Sequence, residues 1–283
     1  MAILQGTPSR TVQKIYNYHA SKEEQSRPYL GGSQIGESCD RKLWYSFRWS
    51  FDINFSGQMK RLFETGHLAE PRLIKELRSI GITVYDFDAQ GKQYGFSLIE
   101  DHFRGHIDAV IVGIQEAPKT PHLAEFKTHN QKSFTVLLKK GVQESKPIHY
   151  AQMQIYMGAL ELKRAFYLAV NKNTDELYQE RIEFDKKMYE AILLKAKRII
   201  YAATPPEKIN ENPAWYECKL CDFSKICHSG FTVNKNCRTC IYSKPGESGQ
   251  WFCSDSSKGM DIDAQRKGCD HYTVIPELDT IPF

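Results

Sequence analysis

The chain has 283 residues, of which 41% are hydrophobic and 25% charged. That balance excludes disordered, collagen-like and fibrous classes and allows a buried core of domain size. The formal net charge of +4 is too small to identify a polyanionic partner, so any attraction to nucleic acid has to come from a local patch. No apolar run approaches the roughly 18 to 20 residues of a membrane span, and the N-terminus shows no signal-peptide core. The expectation is a protein of the cytoplasm, with no membrane partner.

In chain order, residues 1–30 read as a polar, loose arm. Residues 33–49 predict a short helix with Ser33 as its N-cap and Leu43, Trp44 and Phe47 as its apolar stripe. Residues 57–80 predict a second helix, with Leu62, Leu68, Leu73 and Leu77 in period and a bend at Gly66 or Pro71. ITVYDF, KQYGFSLI and FRGHIDAVIVGI then read as successive strands of a meander, followed by a strand in HLAEFKT. Residues 130–146 predict a lysine-rich connection with a short helix at Ser133 to Leu138. HYAQMQIYMGALEL predicts a helix, AFYLAVNK and LYQERIEF two strands, and 186–203 a long helix whose lysines face solvent. Residues 214–283 lose periodicity and predict little core, so they require a staple.

Four pieces of chemistry occupy the middle of the chain. GHIDAVIV presents Asp108 in a strand, and an acid in so apolar a run requires a partner. AEFKT presents Glu125 and Lys127 two residues apart, hence on one strand face, with Phe126 turned to the core. Asp108 and Glu125 could share a hard cation, Mg²⁺ or Mn²⁺, with Lys127 beside it to polarise water or stabilise a pentavalent phosphate. His67 and Glu70 share a helix face at i, i+3, and either could reach that cation; Gln152 and Tyr156 share one at i, i+4, suited to gripping a nucleotide. Arg104, His106 and Asp108 alternate along one strand and should face the site together. Lys132, Lys139 and Lys140 lie between Lys127 and Gln152, where they could track a phosphate backbone. Read singly, each of these residues is also at home on a solvated face or in a core.

Seven of the eight cysteines lie at or beyond position 218. In a cytosolic chain of this size that clustering favours metal over disulfides. Cys218, Cys221 and Cys227 form C-x2-C-x5-C and need a fourth ligand. His228 would make a zinc site; Cys39 would join both ends of the core. Cys237, Cys240 and Cys253, with Cys269 or His271, form a pattern suited to Zn²⁺. Trp251 and Phe252 would cover that knuckle or stack on bases.

The order G-H, G-H-I-D, E-F-K and Q-x-x-x-Y over about residues 33–228 resembles the PD-(D/E)XK nuclease superfamily. More narrowly, it is similar to the RecB-like exonuclease branch, both phage recombination exonucleases and CRISPR-associated RecB-like nucleases. The resemblance implies an α/β restriction-endonuclease-like fold, a mixed central sheet flanked by helices, with a cysteine-rich C-terminal metal-binding tail added here. It implies a metal-dependent DNA exonuclease acting in recombination, repair or replication and leaving 5′-phosphates. Asp108 and Glu125 would be the Mg²⁺ or Mn²⁺ ligands, Lys127 the catalytic lysine, and Gln152 and Tyr156 supports for DNA. RecB-like members place a histidine in the first motif, matching His67, and lambda-exonuclease-like members a glutamate, matching Glu70; His67 is the first choice. Iron–sulfur members carry one cysteine before the first motif and C-x2-C-x5-C after the last. That implies a structural [4Fe–4S] cluster on Cys39, Cys218, Cys221 and Cys227.

Four segments follow: an arm at 1–30, a nuclease core at 31–207, an iron–sulfur segment at 208–230 closing onto Cys39, and a zinc-binding tail at 231–283. DNA, with Arg104 and the lysines of 132–140 touching it, is the implied partner. A single-strand annealing or recombinase protein and a phage origin are further implications, and the resemblance admits an oligomer. A structure-selective or nicking endonuclease shares the fold. Intact Asp108, Glu125 and Lys127 argue against an inactive DNA-binding scaffold.

Overall fold

The computed structural model describes residues 9–22 and 25–279. Part of the expected arm is a helix, α1 (Arg10–Ala20), capped by Ser9 and packed along α3; residues 1–8 and 23–24 of the arm lie outside the described residues. Strand β1 (Leu30–Gly31) leads through a tight turn at Gly32–Gln34 to α2 (Asp40–Phe47). The cap of α2 is Cys39, whose sulfur accepts from the Lys42 amide, and not Ser33. Helix α3 (Gly57–Ser79) begins at Ser56 and runs through Pro71. Its buried side is Leu73, Ile74 and Leu77, whereas Leu62 and Leu68 are exposed, because only the C-terminal half of the helix lies on the sheet.

Strands β2 (Thr83–Tyr85), β3 (Gly95–Leu98), β4 (Phe103–His106), β5 (Ala109–Val112) and β6 (His122–His129) follow. They do not form one meander. β3 and β4 make a hairpin that joins β1 in a separate sheet, ordered β1-β4-β3. β2, β5 and β6 belong to the main sheet, completed by β7 (Arg164–Asn171) and β8 (Leu177–Glu183) in the order β2-β5-β6-β7-β8. That sheet is mixed: β6 and β7 are parallel and the other neighbours antiparallel. The parallel pair needs a crossover. It is supplied by α4 (Gln131–Ser145) and α5 (Pro147–Ala159), so the expected polar connection is helical over most of its length. Phe134, Leu137 and Val142 give α4 a buried side, with a break at Gly141, φ 69°. Helix α6 (Lys186–Tyr201) is capped by Asp185 and packs on α2 and α5. Lys195 is largely covered and Arg198 stays exposed, and both pair with Asp40 at the start of α2.

The two faces of the main sheet carry different loads. Ala124 and Phe126 of β6 and Phe166, Leu168 and Val170 of β7 pack under α3. Leu123 of β6 and Ala165, Tyr167 and Ala169 of β7 face α5 and α6 in the larger core. β7 is therefore apolar on both sides, as a central strand requires, and Glu125 enters a hydrophobic layer by the same alternation.

The C-terminal region is short helices α7 (Tyr216–Lys219) and α8 (Ser224–His228), then strands β9 (Ser243–Pro245), β10 (Trp251–Cys253) and β11 (Lys258–Met260) in a small antiparallel sheet, then α9 (Ile262–Lys267). Contrary to expectation, it contributes to the main core: Phe223, Ile226, Val233, Trp251, Met260, Ile275 and Leu278 are buried in it. Trp251 is 0% exposed, against Phe47 at 5.4 Å between ring centres and between the guanidiniums of Arg48 (5.0 Å) and Arg238 (4.6 Å). It is a core residue and presents no face for stacking on bases.

Truncating this indole removes both apolar burial and two cation–π contacts. Trp251→Ala should lower the free energy of unfolding by about 3–5 kcal/mol. Urea unfolding followed by circular dichroism and by thiol accessibility of the tail should show one shared, earlier transition. Loosening of the tail with an unchanged main transition would mean that the tail is not part of the core.

Candidate active site

Strand β5 pairs with β6 only through Ala109↔Ala124, Val110↔Leu123 and Ile111↔His122. Beyond Ala124, β6 has β7 on one side and an open edge on the other. Asp108 stands at that opening, at the bend between β4 and β5 and not within a strand. Its Oδ2 accepts the Phe126 amide at 2.7 Å, replacing the ladder bond that β5 no longer supplies. Glu125 and Lys127 lie on one face of β6 and pair with each other. Glu125 is 0% exposed and its second oxygen, Oε2, is buried without a partner among the described residues. The Lys127 side chain keeps 26% exposure.

Glu70 of α3 stands in the charge field of Asp108 and Glu125 and forms a loose acidic group with them. Burial first, then the charges of Asp108 and Asp86, pushes its carboxyl up to about 7, with Lys127 opposing. Burial likewise pushes Glu125 up to about 7, with Asp108 and Glu70 adding to the effect against Lys127. Burial raises Asp108 too, against Lys127 and the Phe126 amide. Lys127 is held above its ordinary value because three carboxylates outweigh its own desolvation. Crowded, desolvated carboxylates of this kind are relieved by a cation. His67, one turn earlier on α3, is exposed, and no hydrogen bond or ion pair joins it to the cluster among the described residues.

Helix α5 supplies Gln152 and Tyr156, 5% and 2% exposed. Burial first, then Glu125 and Asp108, raises the phenol of Tyr156. The ring packs edge-on against Phe96 at 5.3 Å. Two glycines make room for it: a Cβ on Gly105 or on Gly32 would stand 2.6 Å from Tyr156 Cε1. The glycine of G-H-I-D is therefore required by the ring beside the acids. The same face of α5 carries His149, which with His129 of β6 hydrogen-bonds the Tyr167 hydroxyl at 2.9 and 2.8 Å. Burial first, then the charge of Lys127 for His149 and of Lys146 and Lys127 for His129, keeps both imidazoles neutral, at about 2 and about 4. That polar wall behind Lys127 was not among the expected residues, although i, i+3 spacing from His149 to Gln152 marks it.

Arg104 does not face the acids. Its Nε donates to the Asp101 carbonyl at 2.8 Å and its guanidinium lies over Tyr29. The alternation from Arg104 to Asp108 fails because the chain leaves one sheet for another at Ile107 and Asp108. The exposed cation near Tyr156 is instead Arg27, whose Nη1 lies 3.0 Å from where a Cβ on Gly31 would be and 3.3 Å from Ser33 Oγ. Lys132, Lys139 and Lys140 are exposed on α4, with Lys140 paired to Glu144 at 2.6 Å.

Cys39, Cys218, Cys221 and Cys227 line one pocket of about 360 Å³ together with Arg41, Lys42, Lys208 and His228. Burial and the neighbouring sulfurs raise the thiols of Cys218 and Cys227. Cys237, Cys240, Cys253 and Cys269 line a second, of about 20 Å³, with His271. His271 pairs with Asp255 at 3.1 Å. Among the described residues no three His, Cys, Asp or Glu side chains are already gathered as a metal-holding group. For a hard cation the donors fit in kind: carboxylate oxygens on two elements, one of them buried and unpartnered.

The raised carboxyls set a pH dependence. A carboxyl bound more tightly to its proton in the folded state stabilises fully below its unfolded value, and that stability is lost as pH rises towards its folded value. In EDTA the protein should lose stability between about pH 4.5 and pH 7, by on the order of 3 kcal/mol from Glu125. Urea midpoints measured across that range should fall less steeply in Glu125→Gln, the remaining slope coming from Glu70, and an unchanged slope in that variant would place the titration elsewhere.

A family model described as the PD-(D/E)XK nuclease superfamily matches residues 44–228, the segment that carries the acidic cluster, Lys127, Gln152 and Tyr156. Cys39 and the tail beyond His228 lie outside the match. No curated protein sequence matches the chain. Among solved structures the chain is similar to an alkaline exonuclease, LHK-Exo, from Laribacter hongkongensis, at 15% identity and a TM-score of 0.45, covering 66% of this chain and 90% of that one. LHK-Exo in complex with dAMP matches at 14% identity and TM-score 0.44 with the same coverage. SSO0001 matches at 17% identity and TM-score 0.41, over 78% of this chain and 96% of that one. The match of the family model over most of the chain, on the segment that builds this cluster, shows that the protein belongs to the PD-(D/E)XK nuclease superfamily.

Proposed function

We propose that the protein is a divalent-metal-dependent DNA exonuclease. The observation that carries this reading is the cluster at the open edge of β6, where Glu125 keeps a buried, unpartnered oxygen beside Asp108 and Lys127. Asp108 and Glu125 would hold Mg²⁺ or Mn²⁺, with Glu70 in preference to His67 as the further acid because Glu70 stands in the field of both Asp108 and Lys127. A divalent ion bound there supplies charge that stabilises a phosphate under attack. Lys127 holds its proton next to Glu125 and presents an ammonium to the same phosphate. The phosphorus–O3′ bond breaks as water oxygen bonds to phosphorus, leaving a 5′-phosphate and a 3′-hydroxyl. Tyr156, wedged on Gly32 and Gly105, and Gln152 are buried and would support the wall behind the acids without themselves stacking on the nucleotide. Arg27, exposed beside Tyr156, is placed for a backbone phosphate. Lys132 and Lys139 extend a basic path along α4.

The thiol quartets complete the reading. The pocket around Cys39, Cys218, Cys221 and Cys227 has room for a [4Fe–4S] cluster, with Arg41, Lys42 and Lys208 to offset its thiolate charge. The hole among Cys237, Cys240, Cys253 and Cys269 has room for one Zn²⁺. Both would fasten the C-terminal region and take no part in hydrolysis. Recombination, repair or replication is the proposed setting, with an annealing or recombinase protein as the proposed partner. No helix among the described residues is long and apolar enough to cross a membrane.

End-labelled linear DNA and a covalently closed circle, incubated with Mn²⁺, test the reading. The linear DNA should be degraded and the circle spared. EDTA should stop the reaction, and Lys127→Ala should slow it by about 10²–10⁴-fold. Cutting of the circle would make the enzyme an endonuclease. Binding without cleavage by the metal-loaded protein would make it a scaffold.

A further inference from the structure

The tail beyond His228 lies outside the family match, and hydrolysis as described above does not use it. Its arginines nevertheless reach the segment that delivers Arg27. Three successive backbone carbonyls are held by side chains. Ser26 O accepts from Arg266 Nη2 at 2.8 Å, Arg27 O from Trp49 Nε1 at 2.8 Å, and Pro28 O from Arg238 Nη2 at 2.9 Å. The same three side chains form one stack, with Trp49 between the guanidiniums of Arg238 (3.7 Å) and Arg266 (4.2 Å).

Arg238 is 0% exposed. Its remaining bonds go to Gln265 Oε1 at 2.9 Å and to the Phe47 carbonyl at 2.8 Å, so its geometry is fixed from the tail on one side and from α2 on the other. Just after the clamp, Leu30 and Gly31 pair with Phe103 and Arg104 of β4. The tail holds that strand's hairpin as well. Gly249 N donates to the Glu100 carbonyl at 2.6 Å, and His102 Nε2 lies 2.9 Å from the Gly246 carbonyl. Thus the segment 26–31 is gripped at Ser26 and Pro28 by Arg266 and Arg238 of the tail, at Arg27 by Trp49, and at Leu30 and Gly31 by β4, whose hairpin the tail holds in turn. Its two products are the Arg27 guanidinium lying over Gly31 and the bare Gly32 on which Tyr156 rests.

We infer that the C-terminal tail is a clamp for substrate binding: Arg266, Arg238 and Trp49 are positioning residues that act through Arg27 on a DNA backbone phosphate. This inference rests on the reading of Arg27 given above. A planar guanidinium bonded at its carbonyl-facing edge and stacked on an indole is rigid. Two guanidinium bonds and one indole bond to consecutive carbonyls remove the backbone freedom that would otherwise blur the position of Arg27.

Affinity for a short blunt DNA duplex, measured by fluorescence anisotropy in EDTA so that no cleavage intervenes, tests it by a double-mutant cycle. Arg27→Ala should weaken binding about tenfold and Arg266→Ala about threefold to tenfold. The double variant should be no weaker than Arg27→Ala alone, since the second change acts only through the first. Trp49→Phe, which keeps a ring but loses the donor to Arg27 O, should behave as Arg266→Ala does. Hydrogen exchange should speed up at residues 29–31 in both clamp variants and stay unchanged along β6. Unaltered affinity in Arg27→Ala would overturn the reading of Arg27 and this inference with it. A weakened Arg27→Ala whose effect multiplies with that of Arg266→Ala, or unaltered exchange at 29–31, would overturn the inference alone.

Discussion

A carboxylate that is wholly buried and half satisfied governs the architecture around it. Glu125 sits in the α5-facing layer of the main sheet with one oxygen on Lys127 and the other on nothing among the described residues. An unpaired buried charge is costly enough that it protonates, finds a counter-ion or is not kept. Here Asp108 and Glu70 make matters worse electrostatically, since both push the proton affinity of Glu125 upward. A bound cation would relieve that repulsion, which is why one is proposed there. Other features follow from holding it. β5 stops short so that the edge of β6 stays open, Asp108 takes over the missing ladder bond, and glycines at 32 and 105 let Tyr156 close one side.

The second constraint is how a chain with a separate-looking, cysteine-rich end becomes one body. Arg48 and Arg238 do this by bonding to backbone carbonyls while stacking on Trp44, Trp49 and Trp251. Arginine suits the role because its planar donors can be spent on buried acceptors, as Nε, Nη1 and Nη2 of Arg238 are, while its faces remain free for aromatic rings. The two cysteines flanking Arg238 then gain a structural meaning whether or not they hold a metal. Anything that orders Cys237 and Cys240 also orders the arginine between them, and through it the strand leading into the site.

Local periodicity carried much of this. Period two placed Glu125 and Lys127 together and Phe126 opposite them. Helical spacing placed Gln152 and Tyr156 on one face and gave α3, α5 and α6 close to their observed bounds. The strands of the main sheet were likewise readable, because their apolar runs are bounded by turn residues. Arg104 and Asp108 were misplaced for a reason periodicity cannot report: the chain changes sheets between them, so alternation along FRGHIDAVIV is broken by topology. The helix α4 was underestimated because Lys139, Lys140 and Gly141 interrupt its apolar period, leaving Val142 apart from Phe134 and Leu137. The tail read as coreless because its apolar residues are sparse; they become core only against α2, far away in sequence. Arg27, the proposed phosphate contact, carried no signal at all, since the side chains that hold its segment come from positions 238 and 266.

The central claim is that Asp108 and Glu125 form a site for a hard divalent ion. Calorimetric titration of Mn²⁺ into the protein at neutral pH tests it most directly, with Asp108→Asn and Glu125→Gln beside the unaltered chain. The account predicts a saturable binding event in the unaltered protein that is lost, or weakened at least tenfold, in each variant. Equal Mn²⁺ affinity in all three would contradict it.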